Sequence, residues 1–222
     1  MALTRAVLFD LDGTLLDTAP DMIGALNSLR QEQLLAPLPY ELIRSTVSHG
    51  SARVVKAGFP EADPELAQRL QRRFLEIYRG ALSRETRLFP GMDQVLDALA
   101  SLNIKTGVVT NKPAWLTDPL LAELGLRARF ACVVSGDTVA ERKPHPLPLL
   151  HAAQLAEVSP SECVYVGDAE RDVQAAHAAA MPALVANYGY LRADEHSTDW
   201  GGDGYLSRPL DLLDWLKAGG RL

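Results

Sequence analysis

The sequence contains little cysteine and no long apolar run, and each shortage excludes a class of protein. Only Cys132 and Cys163 are present among 222 residues, and they form no CxxC pair, which argues against a disulfide-stapled fold or a zinc site. Each cysteine lies at or near the start of an apolar, strand-like run, so both are predicted to be buried and reduced. No stretch of about 18 consecutive apolar residues occurs, so no membrane span is predicted.

Positive charge is also in short supply. Lysine and arginine total 22 against 28 acidic residues, which gives a net charge of -6. This balance argues against nucleic acid or an anionic membrane as the main partner, although a local cation site can still bind an anionic substrate. The first apolar run ends at Asp10 and is too short for a signal peptide, so a cytoplasmic protein is expected. A monomer or a homodimer is expected.

The chain does contain a regular alternation of strand-like and helix-like segments. Strands are predicted at 6–9, 105–109, 131–134, 163–166 and 183–186. Helices are predicted between and after them, at 93–102, 114–124, 146–156, 170–179 and 210–216. Alternation of this kind predicts an α/β fold with a doubly wound, Rossmann-like parallel sheet.

One block interrupts the alternation directly after the first strand. Its apolar residues recur at helical spacing, and the predicted helices lie at 22–35, 41–47, 51–57 and 64–82. We therefore predict a core domain of residues 1–17 and 87–222, with an all-helical cap domain of residues 18–86 inserted into it. An insertion at this point can cover the carboxyl edge of the sheet.

Polar side chains follow the predicted strands at the points where they end. The candidates are two carboxylates after the first strand, a hydroxyl and an amide after the second, a lysine in the loop after the third and two carboxylates after the fourth: Asp10, Asp12, Thr110, Asn111, Lys143, Asp168 and Asp172. Because the carboxyl ends of parallel strands meet at one edge of a sheet, these groups are predicted to lie together.

This set of groups suits phosphoryl transfer. Carboxylate oxygens are the ligands that Mg²⁺ prefers, while a lysine and a hydroxyl bind and orient phosphoryl oxygens. One carboxylate can act as the nucleophile and form an aspartyl-phosphate, and another can act as a general acid and then as a base.

Four of these segments resemble, in order, the motifs of a known family. Asp10-Leu11-Asp12-Gly13-Thr14 matches the DxDGT motif of the haloacid dehalogenase-like (HAD) hydrolases. Thr110 is similar to the second motif, Lys143-Pro144 to the third and Gly167-Asp168-Ala169-Glu170-Arg171-Asp172 to the GDxxxD fourth. The resemblance spans the whole chain, and the helical insertion resembles the family's C1 cap.

The resemblance implies a role for each residue. It implies that Asp10 is the nucleophile and that Asp12 protonates the leaving oxygen and then deprotonates water. It implies Mg²⁺ ligands from Asp10, Asp168 and the backbone carbonyl of Asp12, with Asp172 as a ligand or just behind the ligands. Thr110, Asn111 and Lys143 would bind the phosphoryl group, with help from backbone amides.

Within the family, the chain is most similar to phosphoglycolate and N-acetylmuramic acid 6-phosphate phosphatases, through Thr110-Asn111-Lys112-Pro113 and Tyr188-Gly189-Tyr190. Both substrates are small phosphorylated metabolites that pair a phosphate with a carboxylate. His49, Arg53 and Lys112 are candidate substrate contacts, with Arg53 or Lys112 suited to the carboxylate. A solvated helix face is the alternative interpretation of His49 and Arg53.

Two alternative functions are a sugar phosphomutase and a phospho-accepting receiver domain. A sugar phosphomutase of the same superfamily would return the phosphoryl group to a sugar. A phospho-accepting receiver domain also combines acids, threonine and lysine at strand ends, but an acid after the lysine and a helical insertion argue against it.

One departure from the family pattern concerns a helix end. The family usually has glycine after the fourth-motif helix, where this chain has Ala179-Ala180. A left-handed residue there would cost alanine about 1 kcal/mol relative to glycine. Either a different helix ending or tolerated strain is expected.

Overall fold

The computed structural model describes residues 3–192 and 194–222. The strands of this part of the chain are β1 (Ala6–Phe9), β2 (Leu16–Asp17), β3 (Arg87–Leu88), β4 (Lys105–Val109), β5 (Cys132–Val134), β6 (Cys163–Gly167), β7 (Ala183–Ala186) and β8 (Gly204–Leu206). The helices are α1 (Ala19–Glu32), α2 (Tyr40–Arg44), α3 (Ser51–Gly58), α4 (Pro64–Arg79), α5 (Met92–Ser101), α6 (Ala114–Glu123), α7 (Leu147–Leu155), α8 (Glu170–Ala178) and α9 (Asp211–Ala218).

Six of the strands form one parallel sheet in the order β5–β4–β1–β6–β7–β8. The central strand β1 pairs with β4 on one side and with β6 on the other, so that Ala6 lies opposite both Lys105 and Cys163. The chain order reverses on either side of β1, and ligands of open α/β sheets bind at such a switch point. The predicted α/β fold with a parallel sheet is confirmed.

Alternate residues of β1 pack into two apolar layers, one on each face of the sheet. Val7 and Phe9 join the core on one face of the sheet, together with buried residues of α5, α6, α9 and the inserted helices. Ala6 and Leu8 join the core on the other face, with α7 and α8. Both faces of β1 are therefore covered, as the apolar run in its sequence requires.

The inserted helices begin and end beside one another. β2 and β3 pair in antiparallel fashion, with Leu16 opposite Leu88 and Asp17 opposite Arg87. The buried carboxylate of Asp21 accepts hydrogen bonds from the backbone N–H groups of residues 85 and 86 and from the Thr86 hydroxyl, at 2.8 to 3.0 Å. This junction supports the predicted cap at 18–86, and the domain division stays a prediction.

Several element bounds differ from the sequence prediction. The strands β2, β3 and β8 were not predicted, because two or three residues are too few to show an alternating pattern. The helix predicted at 41–47 ends at Arg44 and is followed by a 3-10 turn at Val47–His49. The helix predicted to reach Leu82 ends at Arg79.

Cys132 and Cys163 are buried free thiols, as predicted. No helix within the described ranges is both long and apolar enough to cross a bilayer.

The helix end at Ala179-Ala180 adopts the strained alternative. Ala180 lies in the left-handed region, with φ of +58°, just after α8 ends at Ala178. The side chain of Ala180 is exposed, so removing its methyl group gives up little packing. Ala180→Gly is therefore expected to raise the free energy of unfolding by about 1 kcal/mol in a urea titration.

The control is Ala178→Gly, which changes another exposed alanine, the last residue of α8. It is expected to lower the free energy of unfolding by roughly 0.5–1 kcal/mol, because glycine is a poor helix former. Equal effects of the two substitutions would show that the backbone at Ala180 is not strained.

Candidate active site

The predicted site residues lie together at the carboxyl edge of the sheet. Asp10 directly follows β1, Thr110 follows β4 and Asp168 follows β6. Lys143 lies in the loop after β5, and Asp172 lies in the first turn of α8. All five are at least 97% buried, so their interactions are screened little by water.

Three buried carboxylates form a tight cluster. Carboxylate oxygens of Asp10, Asp168 and Asp172 lie within 4.8 Å of one another. The Nζ atom of Lys143 contacts two of them, at 3.0 Å from Asp10 Oδ1 and 2.7 Å from Asp172 Oδ1. Arg171 is farther away, with Nη2 at 3.9 Å from Asp10 Oδ2. One closely bound ammonium therefore faces three acids, and a further cation would balance the cluster.

Asp168 is the acid with the least compensation. Its Oδ2 accepts hydrogen bonds from the Ser48 hydroxyl at 2.5 Å and from the Tyr190 N–H at 3.0 Å. Its Oδ1 is buried without a hydrogen-bond partner among the described residues. Burial, together with Asp10 and Asp172, raises the pKa of Asp168 from 3.8 to about 7. An orphaned carboxylate oxygen next to a second acid fits a divalent metal ion.

Asp172 is already engaged on both oxygens. Oδ1 contacts Lys143, and Oδ2 accepts the N–H of Ala169 at 3.1 Å. This leaves Asp10 and Asp168 as the carboxylates with capacity for a metal, and Asp172 fixes the lysine behind them.

The raised pKa of Asp168 predicts a pH-dependent stability in the absence of a divalent cation. Between 3.8 and about 7 the folded protein binds more protons than the unfolded chain, so the free energy of unfolding falls as pH rises through this window. Urea midpoints measured in EDTA from about pH 5 to about pH 8 are expected to decrease. Added Mg²⁺ is expected to flatten the dependence, because a bound cation replaces the proton.

Asp168→Asn is the control for this experiment, since it removes one titrating group and should reduce the pH dependence without a cation; the raised pKa of Asp172 contributes the remainder. A urea midpoint that rises with pH in EDTA would contradict the assignment.

Lys143 is held in place by a fully buried network. Its Nζ also donates to the Tyr165 hydroxyl at 2.7 Å, which in turn donates to the Val109 carbonyl at 2.8 Å. The Asn111 side chain binds the Lys143 backbone at both polar atoms, accepting from N at 3.0 Å and donating to O at 2.9 Å. Asn111 thus fixes the lysine loop with its side chain, and its backbone amide is the group left for a ligand.

Asp12 has a different environment from Asp10. Its Oδ1 accepts from the Thr18 hydroxyl at 2.7 Å and from Lys112 Nζ at 2.9 Å. Lys112 Nζ also donates to the Tyr78 hydroxyl at 2.9 Å. Burial alone would lower the pKa of Lys112, but Asp12 and Tyr78 together raise it above its ordinary value. Lys112 is therefore a charged partner of Asp12.

A cavity of about 440 Å³ opens above these groups. Its lining combines core residues with residues of the helical insertion: Asp10, Asp12, Val47, Ser48, His49, Gln71, Tyr78, Thr110, Asn111, Lys112, Arg142 and Arg171, among others. Of the three candidate substrate contacts, His49 and Lys112 line this cavity. Arg53 lies in a neighbouring cavity of about 260 Å³, which His49 also borders.

Arg171 is a site residue that the sequence analysis did not single out. Its Nη2 donates to the Ser48 carbonyl at 2.6 Å, so it joins the core to the insertion beside Asp10. The sequence feature that could have indicated this role is the position of Arg171 between Asp168 and Asp172, where an arginine can neutralise either acid. Burial lowers the pKa of His49 below its ordinary value, and Arg171 and Arg53 lower it further, although Glu195 opposes them. The imidazole of His49 is therefore neutral near pH 7.

The fold and this site define an α/β enzyme whose acidic residues lie at a sheet edge under helical cover. The family model for haloacid dehalogenase-like hydrolases matches residues 7–186, and the chain belongs to that family. It is 43% identical over 208 residues to a phosphoglycolate phosphatase of Xylella fastidiosa (strain Temecula1), covering 94% of this chain and 91% of that protein.

Two further proteins are similar to this chain over almost its whole length. An N-acetylmuramic acid 6-phosphate phosphatase of Pseudomonas putida is 38% identical, covering 94% of each chain. The crystal structure of a predicted phosphoglycolate phosphatase from Haemophilus somnus is similar, with a TM-score of 0.85, 26% identity and coverage of 97% of this chain and 99% of that one. The predicted enzyme class, a phosphatase of this family, is confirmed.

Proposed function

We propose that the chain is a Mg²⁺-dependent phosphomonoesterase that hydrolyses a small phosphorylated metabolite through an aspartyl-phosphate. The observation on which this mainly depends is the buried cluster of Asp10, Asp168 and Asp172 under a cavity, with a single closely bound lysine. Phosphatases among the relatives support it. Phosphoglycolate and N-acetylmuramic acid 6-phosphate are the two proposed substrates.

The residues divide the reaction between them. An Asp10 oxygen attacks phosphorus, the bond from phosphorus to the alcohol oxygen breaks, and Asp12 donates a proton to that oxygen. Asp12, now ionised, takes a proton from water as the water attacks the aspartyl-phosphate. Phosphate leaves, and the Asp10 carboxylate and the Asp12 proton are restored.

The phosphoryl group and the metal ion have separate sets of contacts. Thr110, Lys143 and the backbone amide of Asn111 bind phosphoryl oxygens. Asp10, Asp168 and the backbone carbonyl of Asp12 would hold Mg²⁺, which supplies positive charge for the phosphoryl oxygens and for the acid cluster. The ammonium of Lys143 lies against Asp10 and so neutralises charge at the attacking group.

A metabolite-phosphate panel tests the proposal. Phosphoglycolate, N-acetylmuramic acid 6-phosphate and glucose 1-phosphate are incubated with the enzyme in Mg²⁺ or in EDTA, and released phosphate is measured. Release from at least one of the two acid phosphates, only with Mg²⁺, is the expected result. Absence of Mg²⁺-dependent release from every compound would contradict it, and conversion of glucose 1-phosphate to an isomer without release would indicate a mutase.

Arg53 provides a discriminating variant in the same panel. Arg53 lines a neighbouring cavity that His49 also borders, so we expect the larger substrate to reach it and the smaller one not to. Arg53→Ala is expected to lower kcat/KM about tenfold more for N-acetylmuramic acid 6-phosphate than for phosphoglycolate, since one charged hydrogen bond is lost. Equal kcat/KM ratios in variant and wild type would remove Arg53 from the substrate contacts.

A further inference from the structure

We propose that Lys112 is a positioning residue that fixes the Asp12 carboxyl for proton transfer, and that Tyr78 makes this placement depend on the seated helical insertion. The proposal rests on the proposed function, because it assigns Asp12 the proton transfer of a phosphomonoesterase. It gives Lys112 a different role from binding the carboxylate of a substrate.

The ammonium of Lys112 is buried and already bound by two protein groups. Its side chain is 5% exposed, and its Nζ lies 2.9 Å from both Asp12 Oδ1 and the Tyr78 hydroxyl. The same Nζ lies 4.6 Å from the centre of the Tyr78 ring, within the range of a cation–π interaction. To reach a substrate, this buried ammonium would have to give up its contacts with the partly buried Asp12 carboxylate and with Tyr78, which is unfavourable.

The contacts to Asp12 are all on one oxygen. Thr18 and Lys112 both donate to Oδ1, whereas Oδ2 has no hydrogen-bond partner within 3–192 and 194–222. Oδ2 is not enclosed by protein atoms, and Asp12 lines the cavity. The two donors therefore hold the carboxyl by one oxygen and present the other to the cavity, where the leaving oxygen must bind.

The three groups come from different elements. Lys112 follows β4, Thr18 lies at the start of α1, and Tyr78 lies in the last turn of α4. Tyr78 is 1% exposed and stacks on Phe74 within α4, with ring centres 6.1 Å apart. Because α4 belongs to the insertion, seating α4 on the core completes the hydrogen bonds of Lys112. Proton transfer by Asp12 is thereby linked to the position of the helices over the site.

The leaving group of the substrate provides the test. An alkyl phosphate needs a proton on its leaving oxygen, whereas p-nitrophenyl phosphate releases a stable anion that needs none. Lys112→Met keeps the length of the side chain and removes the ammonium. Its kcat/KM is expected to fall about 10²-fold on the better alkyl phosphate of the panel and to change less than about threefold on p-nitrophenyl phosphate.

Further variants separate positioning from folding. Tyr78→Phe removes one hydroxyl and is expected to show the same selectivity at a smaller size, about 3- to 10-fold. Tyr205→Phe removes an exposed hydroxyl on β8 and is expected to leave both rates unchanged. In an Asp12→Asn background, Lys112→Met is expected to add nothing, because the group that it positions is already lost.

Each outcome decides a different point. An equal loss on the alkyl and aryl phosphates, or no loss on either, would overturn the positioning role while leaving the phosphatase proposal intact. A fully additive loss in the Asp12→Asn background would also overturn it. A wild-type enzyme inactive on every alkyl and aryl phosphate would overturn the proposed function itself.

Discussion

Asp10→Asn is expected to lower kcat/KM for the best phosphate monoester by at least about 10³-fold, because the amide oxygen is a poor nucleophile. The substitution keeps the shape of the side chain. The Leu11 N–H that now donates to Asp10 Oδ1 at 2.7 Å can still donate to the asparagine oxygen. Steady-state phosphate release with Mg²⁺ measures the effect.

The same substitution should not destabilise the fold. It removes one of three clustered acids, and Lys143 keeps its 2.7 Å contact with Asp172. In EDTA the urea midpoint is therefore expected to equal or exceed that of the wild type, as is common when an active-site charge is neutralised. Asp118→Asn on the exposed face of α6 is the matched control and should alter neither quantity. An Asp10→Asn enzyme of normal activity would exclude Asp10 as the nucleophile.

Lys143→Met is expected to lower the free energy of unfolding by about 3–5 kcal/mol, because buried carboxylates lose their closest cation. The lysine side chain is fully buried, and its ammonium contacts Asp10, Asp172 and the Tyr165 hydroxyl. Removing the ammonium leaves two buried carboxylates without a countercharge in direct contact, although each keeps a hydrogen bond from a backbone N–H. Activity should be lost as well, because the same ammonium is the proposed phosphoryl contact.

The loss of stability in Lys143→Met should depend on pH. Protonated acids need no cation, and burial raises the pKa of both Asp168 and Asp172. The destabilisation is therefore expected to be smaller near pH 5 than near pH 8. Lys217→Met, at an exposed position in the last turn of α9, is the control and is expected to shift stability by less than about 0.5 kcal/mol. A urea midpoint unchanged in Lys143→Met would mean that the lysine does not hold the acid cluster together.

The sequence was informative where chemistry follows a strand. Asp10, Thr110 and Asp168 each follow an apolar run long enough to be recognised, and parallel strands end at a common edge. The order of the strands then brings together residues that lie more than a hundred positions apart. For these groups, sequence pattern and topology together were sufficient to predict their proximity.

The sequence was less informative where a contact depends on packing between distant elements. Nothing in the residues near Lys112 indicates that Tyr78, 34 positions earlier, supplies a partner for its ammonium. The Asn111 side chain likewise binds the backbone of Lys143, a contact set by the loop conformation and by no local pattern.

The short β2–β3 pair has a consequence for how such a chain can diversify. Leu16 lies directly opposite Leu88, so the inserted helical segment begins and ends at adjacent residues. A segment whose two ends meet in this way can be lengthened, shortened or exchanged as a cassette without shifting the register of the parallel strands. The groups proposed to act on phosphorus would stay constant through such an exchange, while the cavity walls contributed by the inserted helices would be replaced together.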